Sequence, residues 1–447
     1  MPQVENVRKS KWSALIAFLA IDAVQIFIVS ILTLDESTPM IIGFNTAQHN
    51  PLISVSLFLV IIGLQLITVY YITLGMLRGK AMIEIYPNFD RTQPYACKFP
   101  RDDIVNWSKD IATKSGVSLK RIHIMQSPLP NAFTFSLPFI GAVLVIHSNL
   151  MDLLTGEEVR SIIAHEVGHI KNRDSLVSIF TQMPSFFVDI IYLYFYIRIG
   201  LGAISALLIQ FDLVLGGMRI LVLAGFFILS RIIAFIAHLL IQNSSRSAEH
   251  LSDYHAAVTI GPAPTMNALI RLGQRVEAIT SLIEEIRWLE SLNPERSGPI
   301  AQSELMRMIS AYPLDNIDEK NAKTMAPWVF LFTKLKHLQT IYGVNLSDGQ
   351  IIDVIQPATE KLLETRSEPP PVQQGEKAHP PKVIDWRDAD VDGDRRLSSD
   401  EIGELVNMLR GKPEKFMFDS EVGMNVLTID HPDFRSRVLF LADNCKI

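Results

Sequence analysis

Cysteine is nearly missing from this chain: its 447 residues include only Cys97 and Cys445. That scarcity excludes a disulfide-dense secreted scaffold, suits a reducing compartment and leaves no cysteine pair to bind zinc. Charge is missing in a more organised way. Residues 51–77 contain no Asp, Glu, Lys or Arg, and residues 12–34, 176–197 and 220–242 contain one each: Asp22, Asp189 and Arg231. Each run can cross roughly 30 Å of hydrocarbon as a helix, so four transmembrane helices are expected. A cleavable leader does not fit the first run, which is too long and has no small-residue cleavage site after it. Hydrophobic residues make up 48% of the chain and charged residues 20%, too apolar for an ordinary soluble protein and too charged for one lying wholly in a bilayer.

Arg8, Lys9 and Lys11 precede the first span, whereas the loop at 35–50 carries Asp35 and Glu36 with no lysine or arginine. The positive-inside rule then puts the N-terminus in the cytoplasm, and the second span returns the chain there, where Arg78 and Lys80 follow. The intramembrane Asp22, Asp189 and Arg231 either pair and reach the interface or serve function. Arg231, five helical turns before Glu249, is a candidate to approach an active site from below.

Against this background stands His165-Glu166-Val167-Gly168-His169. Histidines at i and i+4 of a helix lie one above the other, so both imidazoles can reach one metal. Glu166 sits beside them, placed to take a proton from a water that zinc has acidified. Thr155 and Glu158 have capping-box spacing, and Val159, Ile162, Ile163, Val167 and Ile170 recur at helical intervals, which predicts a helix under the motif. A third histidine six residues on is excluded, because position 175 is serine. In the stretch 245–257, Glu249 and Asp253 share a helical face, so one carboxylate can bind metal while the other orients an imidazole. His250 and His255 are the competing donors. A shared metal also requires an even number of crossings between His165 and Glu249, which makes 176–242 a two-helix hairpin, with the apolar stretch 199–218 as its loop, a re-entrant piece or a helix extension.

The residues H-E-V-G-H-I-K-N-R-D at 165–174, P-N-A-F at 130–133, the E-x-x-x-D of Glu249 and Asp253, and H-P-D-F-R-S-R-V at 431–438 together resemble the HtpX family of membrane-embedded zinc endopeptidases, relatives of the CAAX prenyl proteases. The resemblance implies that His165, His169 and Glu249 bind zinc, that Glu166 is the general base, and that His431 helps stabilise the oxyanion of the transition state. Asn131 is implied to hold a substrate carbonyl; a turn-forming role is the equal alternative. The segment Gly141–His147 is short, β-branched and apolar, and reads as a buried or edge strand along which an extended substrate could pair with little sequence preference.

A Pro-rich linker at 367–381 leads to Asp390-Val391-Asp392-Gly393-Asp394-Arg395-Arg396-Leu397-Ser398-Ser399-Asp400-Glu401. This run resembles a 12-residue EF-hand loop, with Asp390, Asp392, Asp394, Ser398 and Glu401 as oxygen ligands for calcium, but Arg395 stands where the turn normally needs glycine. A degenerate, solvated acidic turn is the alternative.

The expected fold class is α+β and mostly helical, an integral membrane zincin-type metalloprotease with a small sheet beside the zinc helix. Its expected parts are a transmembrane hairpin (1–77), a protease segment (78–175), a second hairpin (176–242), a second protease segment (243–366), a linker with the EF-hand-like insertion (367–425) and a final protease segment (426–447). The expected activity is cleavage of misfolded or unassembled membrane proteins at the bacterial inner membrane, with the site facing the cytoplasm and no nucleic-acid partner. A CAAX prenyl protease encloses its site in a larger helical chamber, for which four spans are too few. A non-catalytic zinc- or calcium-stabilised scaffold would not need Glu166.

Overall fold

The computed structural model describes residues 2–34, 51–78, 82–86, 95, 97–175, 193, 196–197, 199–275, 347, 349, 386–411 and 432–445, apart from a few positions within these ranges. Within them the protein is mostly helical with one four-stranded sheet. Two long apolar helices come first, α1 (Pro2–Leu34) and α2 (Pro51–Leu77). The sheet is built from β1 (Met82–Tyr86), β2 (Leu119–Met125), β3 (Ala132–Leu137) and β4 (Gly141–His147), with α3 (Arg101–Ser115) crossing between β1 and β2. The strand order is β1-β2-β4-β3, with β2 and β4 parallel and the outer pairs antiparallel.

β4 is therefore an interior strand, and the expectation that a substrate could pair along it is corrected: both of its edges are taken. The residues explain why. Val143 and Val145 face one side, Leu144 and Ile146 the other, and all four are fully buried, so neither face alternates toward water. Ile122, Ile124, Leu144 and Ile146 pack on helices α3 and α5, whereas Val143 and Val145 join Leu137, Ile140, Tyr70 and Leu77 beneath the end of α2. The edge on the α5 side is β3.

After the short α4 (Ser148–Leu153) comes α5 (Gly156–Lys171), which carries the histidine pair. Its start is fixed by a complete capping box: Glu158 N–H donates to Thr155 Oγ1 at 3.4 Å, and Thr155 N–H donates to Glu158 Oε2 at 2.8 Å. α6 (Leu213–Thr259) is 47 residues long, about 70 Å at helical rise. Asp212 caps its start, accepting from Leu215 N–H at 2.9 Å, so the part of 199–218 beyond Asp212 belongs to this helix, preceded by a short apolar helix Ile199–Leu208.

Helix α6 changes character along its length. Leu221 and Phe235 expose 73% and 63% of their surface, whereas Ala248, Leu251, Ala256 and Ala257 are buried against the rest of the protein. α6 is long and apolar enough to cross a membrane by length and composition. Arg231 stacks its guanidinium over Phe227 at 5.2 Å and lies about 27 Å of helical rise from Glu249, so it does not approach the site, as the sequence had suggested it could. The side chains of Asp22 and Asp189 lie outside the described residues.

The final elements are α7 (Ser399–Gly411), preceded by a 3-10 turn at Trp386–Asp388, and α8 (Phe434–Asn444). Trp386, Leu397, Ile402, Leu405 and Leu409 form one core with Ala257, Leu269, Val438 and Leu441. The segment 386–411 is thus packed between α8 and the helical stretch 262–273.

Candidate metal centre

Helices α5 and α6 can approach closely because Gly168 lies at their crossing. A Cβ there would sit 3.1 Å from Ser252 Cα and 3.2 Å from His255 Cβ, so that the helices would have to give by a few tenths of an ångström. The closeness brings Glu249 and Asp253 over the histidine pair. His165 Nε2 and His169 Nε2 are 3.0 Å apart, and each lies 3.5 Å from an oxygen of Glu249. Donors about 2.0–2.1 Å from a tetrahedral zinc lie roughly 3.3 Å from one another, so separations of 3.0–3.5 Å, with Glu249 turning Oε2 to His165 and Oε1 to His169, suit that ion. His165, His169 and Glu249 form one of two groups of potential ligands among the described residues.

Asp253, fully buried, stands behind the first imidazole: His165 Nδ1 donates to its Oδ1 at 2.9 Å. That contact fixes which ring nitrogen faces the metal position. Burial would raise the Asp253 carboxyl, but Arg437 and His165 outweigh it and hold it at about 2. Arg437 grips Asp253 with two hydrogen bonds, Nε to Oδ2 at 2.7 Å and Nη2 to Oδ1 at 2.6 Å, and reaches Glu249 Oε2 at 3.4 Å. Asp174 supports the second imidazole, with Oδ2 2.8 Å from His169 Nδ1.

The nearby base is also held. Thr134 Oγ1, on edge strand β3, lies 3.2 Å from both the carbonyl and the Oε2 of Glu166, which is 7% exposed. Taken ionised, Glu166, Glu249, Asp253 and Asp174 put four negative charges in this network against Arg437 and Lys11, which binds Asp174. A dication makes the sum zero, a second respect in which the residues suit zinc.

Of the other residues singled out in the sequence, His250 and His255 do not join the cluster. His250 stacks on Phe440 at 4.7 Å, and His255 Nε2 pairs with Ser115 Oγ at 2.8 Å. Asn131 is exposed in the turn before β3, its carbonyl accepting from His147 N–H at 2.9 Å. His431 lies outside the described residues. Sequence reasoning missed Arg437, Asp174, Lys11 and Thr134. Arg437 lay inside the quoted H-P-D-F-R-S-R-V run, and Asp174 inside H-E-V-G-H-I-K-N-R-D, so a signal was present but carried no role.

The second group of potential ligands is Asp390, Asp392 and Asp394, half-buried to exposed. Here one oxygen of each aspartate is turned on its own loop. Asp390, Asp392 and Asp394 accept from the N–H groups of Gly393, Asp394 and Arg396 at 2.7–3.0 Å. Glu401 Oε1 accepts from Val391 N–H at 2.8 Å and its Oε2 from Ser398 N–H at 2.8 Å, while Ser398 Oγ accepts from Glu401 N–H at 3.4 Å. Ser398 and Glu401 are therefore the capping box of α7, a role distinct from the calcium-ligand role expected of them. The loop turns at Gly393, at φ +72°; Arg395 lies outside the described residues. The calcium expectation gains no support from this arrangement.

Residues 101–309 match the model of peptidase family M48. A protease HtpX homolog of Aeropyrum pernix is 29% identical over 197 residues, 41% of this chain and 56% of that protein. A protease HtpX homolog of Methanosarcina acetivorans is 30% identical over 204 residues, 43% and 62% of the two chains, and one of a Sulfurihydrogenibium species is 31% identical over 220 residues, 46% and 68%. The chain thus spans 56–68% of the length of these relatives. No solved structure matches it.

Proposed function

The chain belongs to peptidase family M48 and its HtpX branch, and on that premise we propose that it is a zinc-dependent endopeptidase of a membrane. The observation that carries this reading is the convergence of His165 Nε2, His169 Nε2 and Glu249 on one point beside Glu166. Zinc, when bound there, supplies Lewis acidity and makes water a nucleophile at neutral pH. Glu166 takes the proton at its carboxylate and returns it to the leaving amine, while Thr134 keeps that carboxylate aimed. Asp253 and Asp174 hold the two imidazoles in one tautomer. An extended substrate adds to the outer edge of β3, where backbone pairing favours unfolded chains over particular sequences. His431 at the oxyanion and Asn131 at a substrate carbonyl complete the proposal on the strength of the family resemblance.

Substrates in this reading are misfolded or unassembled membrane proteins, reached from four spans in the plasma membrane with the site in the cytoplasm. The exposed apolar half of α6 supports embedding. The cluster of Arg8, Lys9 and Lys11 supports a cytoplasmic N-terminus, and the contact of Lys11 with Asp174 supports a site on that same side. The test separates chemistry from binding. Glu166→Gln should keep full zinc stoichiometry while cleavage of an unfolded membrane protein drops by at least about 10²-fold. Cleavage at the wild-type rate would refute the assignment of Glu166.

A further inference from the structure

The two imidazoles are braced in the same way from opposite ends of the chain. Behind His165 stand Asp253 and then Arg437, from α8 near the C-terminus. Behind His169 stand Asp174 and then Lys11, from α1 near the N-terminus. Lys11 lies just ahead of the first apolar run, yet its side chain is only 1% exposed. Its Nζ donates to the carbonyl of Asn172 at 2.9 Å and also to Asp174 Oδ1.

A lysine so buried has given up its hydration, and only well-placed oxygens compensate for that. Both oxygens lie at the C-terminal end of α5, where the helix carbonyls favour a cation. Arg173, between them, has φ +58°, a conformation that non-glycine residues rarely adopt. That turn swings Asp174 back toward His169, and Lys11 fastens it on both sides. Elsewhere α1 is tied to α6: Asn243 Nδ2 donates to Ser10 Oγ at 3.1 Å and Ser244 Oγ to the Lys11 carbonyl at 3.5 Å.

We propose that Lys11 is a positioning residue of the metal centre: carried by α1, which packs along α6, it reaches Asp174 at the end of α5 and through it fixes the His169 imidazole, so that full metal affinity depends on this contact. The inference rests on the reading of the site as a zinc centre. It does not require Lys11 to touch substrate or metal.

The full-length protein in detergent, with zinc affinity measured by chelator competition and ligand geometry by the visible spectrum of the cobalt-loaded form, gives the test. Lys11→Met should weaken zinc binding about tenfold, the lower end of what removing such support costs, and shift the cobalt bands. Lys11→Arg, which can still pair with Asp174, should restore both. Asp174→Asn should weaken binding similarly, and the double variant Lys11→Met/Asp174→Asn should be no worse than the poorer single, because both act through one contact. Asn243→Ala removes an α1–α6 hydrogen bond without touching Asp174 and should change neither readout. Wild-type affinity and spectrum in Lys11→Met, or an equal loss in Asn243→Ala, would overturn the proposal. If Lys11→Met does not accumulate folded, Asp174→Asn decides by the same two readouts. Wild-type protein that takes up neither zinc nor cobalt would instead refute the zinc reading itself, and the inference with it.

Discussion

Two clusters of acidic and ligating side chains occur among the described residues, and they differ in what holds them in place. The buried one draws on α5 and α6 for its donors and on α1 and α8 for the cations that balance them, and three donor groups face a common centre. The other comes from twelve consecutive residues, is largely exposed, and has one oxygen of each aspartate and both of Glu401 accepting from N–H groups of its own turn, while Ser398 Oγ accepts from the first turn of α7. Both satisfy a motif written as residue types and spacings. Only the first has its donors oriented by groups from other elements, which is the physical difference between an ion site preorganised by the fold and a loop that caps itself.

The sharpest way to break that contrast is to remove one support from each. Arg437→Ala strips the cation from Asp253, which is fully buried, and from Glu249, which is 6% exposed. Removing one partner from a buried ion pair costs about 3–5 kcal/mol. The melting temperature should fall steeply, and the zinc affinity of whatever protein folds should fall with it. Asp392→Ala, at an exposed loop position, should change stability by no more than about 0.5 kcal/mol. Comparable losses in the two variants, measured by thermal unfolding, would mean the loop is as tightly integrated as the buried centre.

Features confined to one helix were readable from sequence. The Thr155–Glu158 capping box, the i,i+4 histidines and the shared face of Glu249 and Asp253 each follow from 3.6-residue periodicity. The groups that orient them were not, because Lys11–Asp174 and Arg437–Asp253 join residues 163 and 184 positions apart and no local pattern marks such a pair. Strand order is long-range in the same sense, although the absence of alternation in Val143, Leu144, Val145 and Ile146 already pointed to an interior strand. Glu401 carries a second signal beside the calcium-ligand one. Ser398-x-x-Glu401 carries the same capping signature as Thr155-x-x-Glu158, and the EF-hand pattern drew attention away from it.

Acid offers a second contrast, since the two regions should fail at different pH. Burial holds the imidazoles of His123 and His255 at about 4, helped at His123 by the charge of Arg121 and at His255 by Lys171. Folded pKa values below the ordinary 6.5 mean that the unfolded chain takes up protons first, so stability around α3, β2 and α5 is complete above pH 6.5 and declines as pH falls toward 4. Glu401 behaves oppositely in range: donation from Ser398, Val391 and Asp392 N–H groups holds it at about 2 against an ordinary 4.5, so its contribution persists until the pH drops below 4.5. Hydrogen exchange corrected for its intrinsic pH dependence should therefore show residues 101–125 loosening between pH 6.5 and 4.5 while 399–411 stay protected. Loosening of α7 first would reverse the comparison.

The smallest effect is expected from calcium. To hold the ion through two oxygens, Glu401 would have to release the N–H groups of Val391, Asp392 and Ser398, and the hydrogen bonds lost there offset what coordination gains. Even a site of millimolar affinity would add only about 0.4 kcal/mol at 1 mM calcium, a shift of about a degree or less in melting temperature for a protein of this size. Glu401→Gln, by contrast, weakens the cap whether or not calcium is present, so its melting temperature should drop equally in calcium and in chelator. Titration calorimetry on the intact protein should register no saturable heat. A rise of several degrees with calcium that Glu401→Gln abolishes would show that the loop can turn its oxygens outward, and the distinction between the two clusters would become one of affinity alone.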